Sequence, residues 1–257
     1  MLRKLGNYAK QSLYPGESQF LKRWPDAPKV ALFAPPNAPK TEIAQRLSID
    51  LGLPLVSVKQ MLEDVAKQTG TTSEYSHPFY QAVKKLVQSE DDEMLLKEKI
   101  ILKLLQLNES CQDGFVLSDH PDTLGQAQQL EEYAGGLNAF VHFSLPEEIL
   151  VRVEENKYRC LDCGREYQLE TIKDPERGIE IQRFFPVDGI CYDCGSRNIV
   201  HAANPSQFEA DLEEYRGRKD ELLDFYHHVG LLVDFDMKKG FDDYDNLLRQ
   251  VQYNIKF

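Results

Sequence analysis

The sequence predicts an α/β fold in which a parallel sheet is flanked by helices and interrupted by a small cysteine-stapled insert. Three observations predict it. Short apolar runs alternate with segments of helical period through most of the 257 residues, the alternation that builds βαβ units. The first of these runs leads through a proline-rich turn into Lys40-Thr41 and a helix, in the manner of a phosphate-binding loop. Between residues 157 and 203 the alternation gives way to short pieces around two C-x-x-C pairs. A chain of this length exceeds the usual single-domain size of about 100–150 residues, so one larger domain carrying an insertion is expected.

Residues 30–34 form a short, continuous apolar run, the mark of a buried strand. Residues 42–51 then place Ile43, Leu47 and Leu51 at helical spacing, and Gly52 ends that helix. A second strand is expected over 53–58, with helices over 60–67, 77–87 and 91–107. The next strand covers 114–117, followed by a helix over 123–133 that Gly135-Gly136 stops. Residues 139–143 give a fourth strand, and Ser144-x-x-Glu147 reads as a capping signal for a helix over 146–156. A long helix over 207–229 carries Phe208, Leu212, Tyr215, Leu222 and Phe225. A strand over 231–236 and a helix over 244–251 complete the pattern.

Ala34-Pro35-Pro36-Asn37-Ala38-Pro39-Lys40-Thr41 lies over the G-x-x-x-x-G-K-[ST] spacing with both glycines replaced. Glycine in such a loop permits positive φ and brings backbone N–H groups close to phosphate oxygens. Pro39 instead fixes φ near about −65° and removes a donor. Lys40 and Thr41 keep their places. A lysine alone at a helix start is otherwise merely solvated.

The apolar fraction of 42% suffices for a core, while a formal charge of −12 and a pI near 5.0 argue against a nucleic-acid partner, whose phosphates call for clustered Lys and Arg. Charge is unevenly placed. Residues 1–29 hold Arg3, Lys4, Lys10, Lys22, Arg23 and Lys29 against Glu17 and Asp26, a net of +4, which leaves −16 for the remainder. The first sixteen residues contain no acid and mix basic with apolar positions, as organellar transit segments do. Mitochondrial residence is therefore expected, with a cilium or flagellum axoneme, or the cytoplasm, as alternatives. No apolar run approaches the roughly eighteen residues that span a bilayer, so no transmembrane segment is expected.

Cys160-Leu-Asp-Cys163-Gly and Cys191-Tyr-Asp-Cys194-Gly are matching knuckles. Two such knuckles bring four thiolates to one point, and tetrahedral zinc suits them. A closed four-sulfur site has no position for water, so Cys160, Cys163, Cys191 and Cys194 are expected to hold one structural zinc ion; two surface redox pairs are the alternative. The insert is poor in apolar residues, and metal binding would contribute most of its folding energy. Cys111 stands apart as an inert thiol.

The order of these features resembles an adenylate kinase of the zinc-lid type. The likeness runs over about residues 30–251 and is carried by the phosphate-type loop, Gly114-Phe115-Val116-Leu117, Pro121-Asp122-Thr123-Leu124-Gly125-Gln126-Ala127, the cysteine insert and Gly230-Leu231-Leu232-Val233. It implies a basic arm at 1–29, then a nucleoside-monophosphate-kinase core at 30–156 and 204–257. A monophosphate-binding insert at 59–88 and a lid at 157–203 belong to the same picture. The family's phosphate-holding positions are altered. Its T-G-D-x-x-R has valine at 58 and glutamate at 63; its D-G-F-P-R, which carries a magnesium-linked aspartate and a phosphate arginine, reads Ser118-Asp119-His120-Pro121-Asp122, with an acid in place of the arginine. The lid entry R-x-x-G-R-R becomes Val153 to Arg159, and two later arginines fall at Val200 and Asp211.

One catalytic arginine in phosphoryl transfer is worth about 10³–10⁵ in rate. Glu63, Asp122 and Asp211 moreover place acids where phosphates would sit, a repulsion of roughly several kcal/mol. The expectation is a catalytically inactive member without catalytic residues, serving as an accessory subunit among the protein subunits of a large mitochondrial assembly. Its nucleotide site would be a vestige at Lys40, Thr41 and Gln126. The alternative is a nucleotide sensor or a residual kinase acting on ATP and AMP, with Thr123, Arg159 and Arg165 joining that site.

Overall fold

The computed structural model describes residues 28–57, 114–133 and 136–255. Its centre is a five-stranded sheet ordered β10-β4-β1-β3-β2, with β1 (Lys29–Phe33), β2 (Leu55–Val56), β3 (Phe115–Leu117), β4 (Ala139–Ser144) and β10 (Leu232–Asp236). Every pairing within it is parallel. Around it stand α1 (Lys40–Leu51), α2 (Leu124–Tyr133), α3 (Glu147–Glu155), α4 (Pro205–His228) and α5 (Tyr244–Ile255). Consecutive side chains of β1 point to opposite faces. Val30 and Leu32 join the core beneath α1, α3 and α5, whereas Ala31 and Phe33 join the one beneath α2 and α4. Helices therefore cover both faces, and the α/β expectation is met.

Helix α1 buries Ile43, Ala44, Leu47 and Leu51, and Gly52 closes it at φ 65 with its N–H on the Ile49 carbonyl. It begins two residues earlier than its apolar period suggested, because Pro39 is compatible with a helix entry and leaves Lys40 in the first turn. The capping signal at Ser144 is not used. Ser144 ends β4, its hydroxyl donates to Asp236 at 3.1 Å, and α3 starts after Pro146 without a side-chain cap. Helix α4 does have one, since Asn204 accepts from the Gln207 N–H at 3.3 Å.

Residues 157–203 form small antiparallel pieces. β5 (Lys157–Cys160) is flanked by β6 (Glu166–Gln168) and β9 (Ile199–His201), and β7 (Ile172–Asp174) pairs with β8 (Ile179–Ile181). The knuckle part has a core of only Cys160, Tyr167 and Cys191, with Tyr158, Phe185 and Ile199 against it. The β7–β8 hairpin differs: Ile172 and Ile179 belong to the main core. Outside the described residues lie most of the basic arm, the expected helices over 60–67, 77–87 and 91–107, the whole 59–88 insert, and Val58, Glu63 and Cys111. Among the described residues no helix is long and apolar enough to cross a membrane.

Candidate functional site

The turn leaving β1 faces the cysteine insert across a cleft of about 1140 Å³. Residues 36–39 form one wall, while Lys157, Arg159, Arg165 and Arg183 bring positive charge from the other. On the far side of the same turn a recess of about 270 Å³ is lined by Phe33, Lys40, Thr41, Asp122, Tyr215 and Arg218, among others. Asp211 borders both cavities. The carboxyl ends of parallel strands are where open α/β sheets place ligands.

The turn is a poor backbone cradle. Pro35, Pro36 and Pro39 have no N–H. Those of Ala38 and Lys40 bond to the carbonyls of Pro35 at 3.3 Å and Ala38 at 2.7 Å. Asn37 takes the left-handed conformation, φ 63, that glycine would otherwise supply. An anion held here must consequently rely on side chains and on the positive end of α1.

The sequence-derived candidates divide. Lys40 and Thr41 line the recess together, and Arg159 and Arg165 line the cleft. Arg159 is paired with Glu166 at 2.6 Å, and Arg165 lies over the Phe184 ring at 5.2 Å. Neither Thr123 nor Gln126 borders either cavity. Gln126 is buried, and its side-chain oxygen accepts the Asp122 N–H at 2.8 Å, while Thr123 accepts the Gln126 N–H at 3.3 Å. Both residues shape the entry to α2. Asp119, two residues past β3, accepts from Ser57 at 3.1 Å.

Lys157, Arg183 and Arg218 escaped the sequence reading. Arg218 pairs with Glu214 and shares a helix face with Asp211, Glu214 and Tyr215, a spacing of three, four and seven that could have flagged it. The lid cations had no such local signal, because hairpins at residues 157–183 bring them together only in space.

The four cysteines converge as expected. Their sulfurs lie within 4.8 Å of one another, with Cys160–Cys194 at 3.6 Å and Cys163–Cys191 at 3.5 Å. A tetrahedral metal with bonds of about 2.3 Å to sulfur needs edges of about 3.8 Å. The set can hold a single metal ion and is compatible with zinc. Gly164 and Gly195, at φ 79 and φ 72, send their N–H groups back to the carbonyls of Cys160 and Cys191. Tyr167 donates to the Cys191 sulfur at 3.1 Å, which with other donors draws that thiol down to about 6. A thiolate is thereby favoured, the form a metal requires.

No family model matches the chain. Curated proteins do. An adenylate kinase of Archaeoglobus fulgidus is 28% identical over 85% of this chain and 93% of its own length. One of Rhizobium etli is 29% identical over 87% and 97%, and one of Methanosarcina barkeri 25% over 88% and 98%. The chain is thus similar over most of its length to curated adenylate kinases. That similarity corrects the expectation that it is not an enzyme, since the relatives matched over nearly their full lengths are named for one. Counting lost arginines position by position left out Lys157 and Arg183, which the fold brings to the cleft from elsewhere.

Behind the recess lies a polar chain of His142, Asp234 and Tyr215. His142, on β4, faces Asp234 through Nδ1 at 2.7 Å and the Tyr215 hydroxyl through Nε2 at 2.7 Å. Burial holds its pKa below the usual 6.5, against the raising influence of Asp234 and Asp236 and in the same direction as Lys219. The unfolded chain thus takes up a proton that the folded one resists. Stability from this residue is complete above about pH 6.5 and is lost as pH falls from there through the lower folded value. Melting temperatures measured from pH 7.5 down to 5.5 should fall in the native protein and fall less steeply in His142→Gln.

Proposed function

We propose that the chain is an adenylate-kinase-type phosphotransferase of reduced rate, moving a phosphoryl group from ATP to AMP, with one structural zinc ion at its four cysteines. The observation that supports it most is the cleft in which the β1–α1 turn and Thr41, at the start of α1, meet the cationic face of the lid, with Lys40 on the adjoining recess that Thr41 also lines. A helix N-terminus favours anions through its unpaired N–H groups and its dipole, and Lys40 adds full charge beside it. Lys157, Arg159, Arg165 and Arg183 supply charge from the opposite wall, the positioning and electrostatic work that phosphoryl transfer chiefly needs. Zinc would keep those lid residues folded in place, remote from the transfer itself.

The reduced rate follows from the same geometry. Internal hydrogen bonds and three prolines leave the turn few backbone donors, and Asp122 and Asp211 face the phosphates with like charge. Coupled-enzyme assays with ATP, AMP and magnesium should give measurable turnover, falling by about 10²–10³ in Lys40→Ala, the usual loss for one electrostatic donor. Turnover of the native protein no faster than that of Lys40→Ala would exclude this function.

A further inference from the structure

Glu154, near the end of α3, is a buried carboxylate with 4% exposure whose donors come from three separate parts of the chain. Its Oε2 accepts from Asn37 Nδ2 in the β1–α1 turn at 2.8 Å and from Lys157 Nζ at the start of the lid at 3.4 Å. Its Oε1 accepts the N–H of Asn204, where the chain leaves the lid, at 2.6 Å. Lys157 closes the ring by donating to Asn37 Oδ1 at 3.1 Å. One anion therefore ties the turn to both connections of the lid. Burial opposes charge on Glu154, but the Asn204 N–H, Asn37 and Lys157 together draw its pKa below the usual carboxylate value.

All four residues line the large cleft. Asn37 and Lys157 are an amide and an ammonium already turned toward an anion, at the point where the turn's own N–H groups are committed to internal bonds. A nucleotide's phosphate tail entering the cleft needs the same donors. It carries more charge than a carboxylate, so it competes well for the lysine.

We propose that Glu154 is an internal stand-in for phosphate: it occupies Asn37 and Lys157 in the free protein, and a polyphosphate binds by displacing it. Displacement unties the turn from both lid connections, so ligand binding and lid mobility are linked through this one side chain. The inference rests on the cleft being the nucleotide site.

Calorimetric titration of the full chain with inorganic tripolyphosphate and with ATP tests it, using native protein and Glu154→Gln. Glutamine preserves the acceptor for Asn204 and removes the charge that retains Lys157. The variant should bind both ligands about tenfold more tightly, equivalent to about 1.4 kcal/mol. Amide exchange at residues 155–157 and 202–204 should be faster in the unliganded variant than in unliganded native protein. Equal or weaker binding overturns the stand-in while leaving the nucleotide site intact; binding by neither protein overturns both. Binding by the variant alone supports the stand-in. Asn37→Gly guards against a misfolded first variant, because it suits the φ of 63 and leaves Glu154 paired with Lys157 and Asn204. It should weaken tripolyphosphate binding, since the phosphate loses one of the two donors that it takes from Glu154, and unchanged affinity in it counts against the proposal.

Discussion

Replacing Cys191 by serine is expected to unfold the knuckle half of the lid while the five-stranded sheet stays folded. Cys191 is buried, accepts the Tyr167 hydroxyl, and belongs to a cluster of just three buried residues. So small a core cannot offset the conformational entropy of the strands around it. Structural zinc contributes roughly 10–16 kcal/mol to comparable small modules, and serine removes one of four ligands. Metal analysis should give about one ion per native chain and far less in the variant. Limited proteolysis should cut the variant within 161–168 and 184–198. Residues 172–181 should stay protected, because Ile172 and Ile179 are anchored in the main core. Retained metal and unchanged protease resistance would show that the cysteines are not what folds this region.

Phe140→Ala should cost about 3–5 kcal/mol, the usual loss for deleting a buried ring, or about 10 °C in melting temperature for a chain of this size. Phe140 is fully buried on β4, stacked on Tyr226 with centroids 3.9 Å apart and near Phe33 at 6.0 Å. The neighbours are themselves large, rigid rings held by two strands and α4, so they cannot collapse into the gap. Urea or thermal unfolding measures the loss directly. A cost under about 1 kcal/mol would mean that this aromatic cluster repacks freely, contrary to the density of a close-packed interior.

Much of the fold was legible because it is written in local periods. The KVALF strand, the i, i+4 spacing of α1 and the two C-x-x-C-G knuckles each carry their signal within a few residues. The strand after α1 was overextended, since only Leu55 and Val56 pair with β3. Ser144 misled because its hydroxyl had two physically reasonable partners, and Asp236, 92 positions away, took it. The site was less readable for the same reason. Lys40 and Thr41 were visible as a motif, but Asn37 meets Glu154 across 117 positions and Lys157 across 120. Arg159 and Arg165 were named as candidates, but Lys157 and Arg183 join them at the cleft only by tertiary folding, and so the reading of an emptied kinase site weighed the losses without all of the gains.

The β7–β8 hairpin is docked on the body of the molecule in a way that limits how the cysteine insert can move. The Glu180 N–H bonds to the Lys238 carbonyl at 2.8 Å, and Arg152 holds the Lys173 carbonyl at 2.9 Å. A cover riveted at its midpoint cannot lift away as one slab. Under the proposed function its sulfur-bearing tip would bend about that fixed fulcrum, nucleotides would pass beneath the tip's free edge, and the hairpin's grip on the body would set how wide that gap can open.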